Sequence, residues 1–381
     1  MSLAVVTTTI NVPELFEGYC KDFRAHNRRE VYFIIVGDRK TPAEVSTYCQ
    51  LLEHTYGYPF EYFDVERQKS FLSAFPDLDH YLPYDSVQRR NIGLLWAYQR
   101  GYDVVLTVDD DNYLLEPDLL RHHLSVGTTG QERSFVSSSG WFNPCQFLNS
   151  NPALPFYHRG FPLKERWKIT EVQTGVRAGR VVVNVGMWLG DPDVDAWLRL
   201  STPLESVHWN QPDNFVLGQN TWAPFNSQQT AIARDLIPAY FLNPNAGRYD
   251  DIWASFIIHR LANHFGDLVS YGSPIVSHVQ TRSVASLWRD LDEERMGALL
   301  TEEFVEIVRS VPLAARSYAA CYAELAQALA STLQARTSRV KGGIEFLQEY
   351  VRGMQLWQKT LESLDSSVPI LASADAAHLT V

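Results

Sequence analysis

The sequence predicts an α/β protein in which a mostly parallel sheet is followed by a helical subdomain. Three observations carry that reading. Two β-branched runs, Leu3–Ile10 and Val31–Val36, flank a helical stretch at residues 12–24, which is the spacing of a parallel crossover unit. Residues 104–108, VVLTV, form the kind of run that fills a central parallel strand, and three aspartates follow at its exit. From Val284 onward the pattern is amphipathic helix.

Taken in order, Pro13 suits the first turn of the helix over residues 12–24. Residues 41–56 predict a second helix and residues 59–65 a third strand, whereas 70–84, rich in Pro, Asp and aromatics, reads as loop. The stretch RRNIGLLWAYQRGYDVVLTVDDDN, Arg89–Asn112, predicts a helix, a turn at Gly101, a strand and an acidic exit. Asp85 and Gln88 have capping-box spacing for that helix. A turn and short helix are expected after Leu114, and irregular chain over residues 131–155. Residues 177–197 read as a strand, an aspartate-rich turn and a helix start, 221–233 as strand-like, and 246–266 as a strong helix. Residues 268–278 end in His278. Apolar periodicity at Phe304, Val305 and Val308, then Tyr318 to Leu329, then Leu347 to Leu361, predicts three helices. The expected organisation is a catalytic domain over 1–285, a helical subdomain or self-association element over 286–364, and a loose tail over 365–381.

Composition excludes several classes. At 381 residues, 45% hydrophobic and 20% charged, the chain is of globular type. A net charge of −11 and a pI near 5.5 argue against a nucleic-acid surface. Cys20, Cys49, Cys145 and Cys321 are scattered, with neither zinc nor disulfide spacing. The first residues carry no basic region and no long apolar run, so no signal peptide is expected, and no stretch is long enough for a membrane span. The expected setting is reducing and cytoplasmic.

The chemistry is concentrated at the ends of the strands. Charges just past a parallel strand sit at the carboxyl edge of the sheet, where open α/β folds bind ligands. Carboxylates as close as Asp109, Asp110 and Asp111 repel one another unless a cation intervenes, and Mg²⁺ or Mn²⁺ prefers oxygen ligands shared with phosphates. Alternation favours Asp109 and Asp111 facing one side. A solvated acidic turn is the plainer alternative. Thr7, Thr8 and Thr9 and the turn at Asp38 fall on the same edge. Asp38 is either a turn residue or a base or ribose contact.

The RN-x-G helix before an acidic strand end resembles GT-A glycosyltransferases. The segments VDDDN, Arg159–Arg166 (RGFPLKER), Met187–Ala196 (MWLGDPDVDA), Gly247–Ala254 (GRYDDIWA) and Pro274–His278 (PIVSH) resemble the reversibly glycosylated polypeptide family, whose plant members include UDP-arabinopyranose mutases. The resemblance runs from about residue 3 to about residue 305, leaving most of the C-terminal helices outside. It implies a Rossmann-like GT-A fold that binds a nucleotide sugar, with a UDP-sugar favoured.

It further implies metal ligands at Asp109 and Asp111, with His278 completing the shell. Nucleotide-sugar contacts would come from Thr7, Thr8, Thr9, Asp38, Arg90, Asn91, Asp110 and Trp188. Asp250 and Asp251 would be hydroxyl-binding or general-base residues. Arg166, where the family's glycosylated arginine falls, is a surface charge, a phosphate or sugar contact, or an attachment site. Each has a plainer reading too: capping acids for the aspartates, a lone structural histidine for His278, core packing for Trp188, Trp222 and Trp253. Asp191, Asp193 and Asp195 read as structural, or at most as sugar contacts. The expected function is metal-dependent glycosyl transfer to an unidentified acceptor. The alternatives are a UDP-sugar pyranose/furanose mutase and a non-catalytic subunit.

Overall fold

A computed structural model describes residues 1–367 apart from residues 212 and 281. The first half alternates as expected. β1 (Leu3–Thr8), α1 (Leu15–Ala25), β2 (Val31–Val36), α2 (Glu44–Tyr56) and β3 (Phe60–Phe63) form two crossovers. Residues 70–84 are not loop: α3 (Val65–Leu72) and α4 (Pro76–Tyr81) occupy most of them. The Asp64 side chain accepts from the Arg67 amide to start α3, and Pro76 begins α4. Local caps, invisible to apolar periodicity in so polar a stretch, outweigh its loop-like composition.

α5 (Arg90–Arg100) ends at Gly101, whose φ of +80° supplies the left-handed stop. Its start differs from the capping box expected at Asp85. That residue has φ +55°, and Ser86 instead caps a 3-10 turn at residues 87–89 that leads into the helix. β4 (Val104–Val108) is buried throughout. Beyond the short β5 (Asn112–Leu114), only a 3-10 turn forms at His123–Ser125 in place of the expected short helix.

Residues 131–155 also depart from the irregular chain expected. β6 (Thr129–Ser137) and β7 (Leu148–Asn151) lie there. β6 gains order by pairing antiparallel with β8 (Val172–Gly190), a partner distant in sequence. α6 (Ala196–Ser201), β9 (Glu205–Trp209) and β10 (Phe215–Leu217) follow. Within 221–233 only β11 (Gln229–Ala233) is strand. α7 (Asp250–Phe265) is preceded by a 3-10 turn, and β12 (Leu268–His278) completes the sheet.

β3-β2-β1-β4 are parallel; β11 runs antiparallel between β4 and β8, and β12 runs parallel to β8. Two reversals restore direction, so β8 and β12 run with β4. The ends of β1, β2, β4, β8 and β12 therefore share one edge of the sheet.

α8 (Val284–Ser310), α9 (Tyr318–Gln334) and α10 (Gly343–Ser367) follow β12. Ser283 and Ser286 form a reciprocal capping box at the start of α8. The apolar faces turn inward: Trp253 of α7 stacks on Phe304 of α8 at 4.2 Å, and Trp357 of α10 on Phe241 at 5.0 Å. The expected tail over 365–381 lies outside the described residues from 368 on. No helix among the described residues is long and apolar enough to cross a membrane.

Candidate active site at the carboxyl edge

The first cavity lies over β1, β2 and β4 and holds about 520 Å³. Thr8, Thr9, Asp38, Arg89, Asp110 and Asp111 are among its walls. Asp38 is fixed there, accepting from the Arg39 amide at 2.7 Å and the Ser86 amide at 3.2 Å. Arg89 is fully buried, with its Nε on Gln68 at 2.6 Å and its guanidinium 4.0 Å over the Tyr84 ring. Thr7 is buried at the strand end and is not part of this wall.

The three consecutive aspartates face three different partners. Asp109 takes Arg90 Nη2 at 2.5 Å, and the same buried guanidinium donates to the Ser227 carbonyl at 2.8 Å. Asp110 Oδ2 is 2.5 Å from the Thr9 hydroxyl. Burial pushes its carboxyl up, the Thr9 bond opposes that, and the neighbouring aspartates push it up further. Asp111 Oδ2 is 3.2 Å from His278 Nε2, while its Oδ1 is buried without a partner.

The alternation inferred from the sequence would have set Asp109 beside Asp111. Arg90, 3% exposed at its side chain, draws Asp109 away, because a buried guanidinium needs a counter-ion. Among the described residues no three His, Cys, Asp or Glu side chains are gathered closely enough to hold a metal. Asp111 and His278 do meet.

A second, smaller chamber of about 150 Å³ adjoins this point. Its centre is a buried ion-pair network. Arg159 reaches Asp193 twice, Nε–Oδ1 at 2.8 Å and Nη2–Oδ2 at 3.0 Å, and Asp251 at 3.2 Å. Burial would raise the Asp193 carboxyl, but the Arg159 charge outweighs it and holds it well below the usual range. Asp251 also accepts from the Ser227 amide at 3.0 Å. Asp250, its chain neighbour at the start of α7, accepts from Gln88 Nε2 at 2.8 Å and has no arginine at bonding distance. Burial, then the Asp251 charge, pushes Asp250 up to about 7.

The aspartate alternation in residues 191–195 has a direct structural meaning. Asp191 binds Arg199 and Arg282, Asp193 binds Arg159, and Asp195 binds Arg166 at 2.7 Å. Arg166 is thus tied down beside Tyr157 and Phe161 and does not line the chambers over the strand ends. Asn91 bonds Gln88 and Leu242 main-chain atoms inside the fold, and Trp188 is 1% exposed in the core.

Residues not put forward as site residues from sequence complete the chamber: Arg159, Arg248, Asn226 and Gln228. Arg159 and Arg248 stand inside the RGFPLKER and GRYDD segments, so the signal for them was a basic residue opening each motif. Asn226 and Gln228 sit in a stretch with no such pattern.

A sequence model of the family described as "Reversibly glycosylated polypeptide" matches residues 157–364. UDP-arabinopyranose mutase 3 of Arabidopsis thaliana is 28% identical over 202 residues, covering 50% of this chain and 53% of that one. A probable UDP-arabinopyranose mutase 1 of Pisum sativum is 28% identical over 231 residues, 58% and 59% of the two chains. A probable glycosyltransferase, STELLO1 of Arabidopsis thaliana, is 31% identical over 167 residues, 40% of this chain and 21% of that one. The chain therefore spans about half the length of the mutases it matches. Among solved structures, a mannosyltransferase of Pyrobaculum calidifontis with GDP-Man and Mn²⁺ overlaps 96% of this chain and 86% of its own, at 11% identity and TM-score 0.35. So loose an overlap assigns this chain no ligand.

Proposed function

The chain belongs to the reversibly glycosylated polypeptide family, and on that footing we propose that it is a metal-dependent glycosyltransferase using a nucleotide diphosphate sugar, with a UDP-sugar favoured. One observation carries the reading. A cavity of about 520 Å³ and a polar chamber of about 150 Å³ lie side by side at the carboxyl edge, where Asp111 meets His278. The larger suits base, ribose and diphosphate, and the smaller suits one sugar ring.

Asp111 and His278 fit a divalent ion. His278 Nδ1 lies 2.6 Å from the Asp191 carbonyl and so carries the proton. Its Nε2 then faces a carboxylate oxygen at 3.2 Å, two electron-rich atoms with a vacant carboxylate oxygen beside them. Such a pair calls for a cation or a further proton, and imidazole with carboxylate suits Mn²⁺ or Mg²⁺. When bound, the ion would neutralise the leaving diphosphate as a Lewis acid.

The protein's own groups supply the rest. Thr8, Thr9 and Asp38 position the nucleotide, and Arg90 holds Asp109 in place as a buried ion pair. Arg159, Asp193 and Asp251 present fixed donors and acceptors to sugar hydroxyls without reorganisation. Asp250, ionising near neutrality, receives a proton at its carboxylate. The four cysteines, all buried and free, support a reducing, cytoplasmic setting.

A second reading is favoured by the names of the relatives: a mutase, returning the sugar to its own nucleotide after ring-form exchange. Incubation with UDP- and GDP-sugars and Mn²⁺, followed by NMR of the products, separates the two. A new glycoside supports transfer, and a furanose nucleotide supports the mutase. No turnover of any donor rejects both.

A further inference from the structure

A third cavity shares wall residues with both the larger cavity and the small chamber. It holds about 740 Å³ and lies between the Asn151–Pro152 turn, residues 202–205 and the end of β12. His278, Gln280, Arg199 and Arg282 line both this cleft and the small chamber. Val279 and Gln280 line both it and the nucleotide cavity. The three spaces meet at Gln280, which lines all of them.

A nucleotide sugar accounts for two of them. A reaction that returns the sugar to its own nucleotide needs no more, yet the third is within the roughly 300–1,000 Å³ of ligand sites. We propose that this cleft is an acceptor subsite for a neutral saccharide, which makes the enzyme a transferase rather than a mutase. The inference rests on the nucleotide-sugar reading above.

The lining decides the class of acceptor. Arg199 donates to the Pro192 and Val194 carbonyls and shares the Asp191 carboxylate with Arg282. Arg282 is neutralised by Asp191 at 2.9 Å and Asp290 at 3.1 Å. With their charges met inside the protein, these arginines offer little net attraction to a phosphate-bearing acceptor. Thr202, Glu205 and Gln280 offer hydroxyl-binding groups, while Pro152 and Pro203 offer apolar surface to the C–H face of a sugar. In the transfer, an acceptor hydroxyl oxygen bonds to C1 of the donor sugar. The bond from C1 to the diphosphate oxygen breaks, and its electron pair leaves with the nucleoside diphosphate. The hydroxyl proton passes to Asp250.

The test uses the full chain with Mn²⁺, labelled UDP- and GDP-sugars, and the methyl glycosides of glucose, galactose, mannose and xylose. Pro203→Trp and, separately, Thr202→Trp fill the cleft at its rim. The expected result is glycoside formation by the wild type that falls about tenfold or more in both variants, while hydrolysis of the donor stays within about twofold and reports correct folding. Transfer unaffected by both substitutions overturns the subsite. Donor hydrolysis or ring-form exchange with no glycoside product also overturns it, leaving the nucleotide-sugar reading intact. No donor turnover at all overturns both.

Discussion

Asp250 and Asp251 are chain neighbours at the start of one helix, yet only Asp251 has an arginine, Arg159, at 3.2 Å. The arrangement divides their work, since Asp251 is paired with a guanidinium while Asp250, without one, is pushed up to about 7.

With its carboxyl at about 7, Asp250 should give kcat/KM a descending acid limb near that pH. Asp250→Asn should lower turnover and remove the limb. An unchanged pH profile in the variant would eliminate Asp250 as the proton acceptor. Stability has its own sign. The folded value lies above the unfolded one of about 3.9, so the folded state holds the extra proton between them. Stability from this group is therefore present at low pH and lost as pH rises to about 7 and beyond. The slope of Tm against pH across that window should flatten in Asp250→Asn.

Removing Arg159 strands Asp193 and Asp251 as buried charges. Arg159→Met should cost about 3–5 kcal/mol in urea unfolding. Arg159→Lys should recover little of it, because the two-pronged contact with Asp193 needs a planar fork. Full recovery by lysine would show that charge alone matters there.

Mn²⁺ together with UDP should raise Tm by more than UDP alone. A ligand at a hundredfold excess over Kd adds about 2.7 kcal/mol to the folded state. Asp111→Asn and His278→Ala should each erase the metal-dependent part. If both variants keep it, the ion binds elsewhere.

Gly190, at φ +84°, lies where β8 meets the end of β12, and a Cβ there would stand 2.3 Å from the His278 carbonyl oxygen. Gly190→Ala should cost about 1–3 kcal/mol for the backbone alone and should also weaken the Mn²⁺ shift by moving His278. Gly101→Ala, at φ +80° with nothing within 4 Å, is the control for conformation without collision. Equal effects of the two on the metal shift would discard the link to His278.

Much of this was legible in the residues. The crossovers and β4 follow from β-branched runs whose pattern is local, and the three C-terminal helices from apolar periodicity. Residues 131–155 escaped because β6 owes its order to β8, some forty residues away. The partners of Asp109 and Asp111 escaped for a related reason. Strand alternation puts two side chains on one face, but it cannot weigh the demand of a buried Arg90 for a counter-ion. Arg159 was visible as a motif residue, while Gln88 at Asp250 arose only through folding.

The order in which the chain is made gives α8 a further significance. Glu294 binds Arg248 at 3.1 Å and the Ala196 amide at 2.8 Å, and Asp290 holds Arg282. Two arginines of the smaller chamber, Arg248 and Arg282, therefore take partners about forty positions beyond the GRYDD segment. During synthesis the N-terminal half can fold first, whereas the chamber cannot complete its ion pairs until α8 has left the ribosome. On the proposed function, a nascent chain would thus gain nucleotide affinity before it gained any ability to cleave the sugar bond.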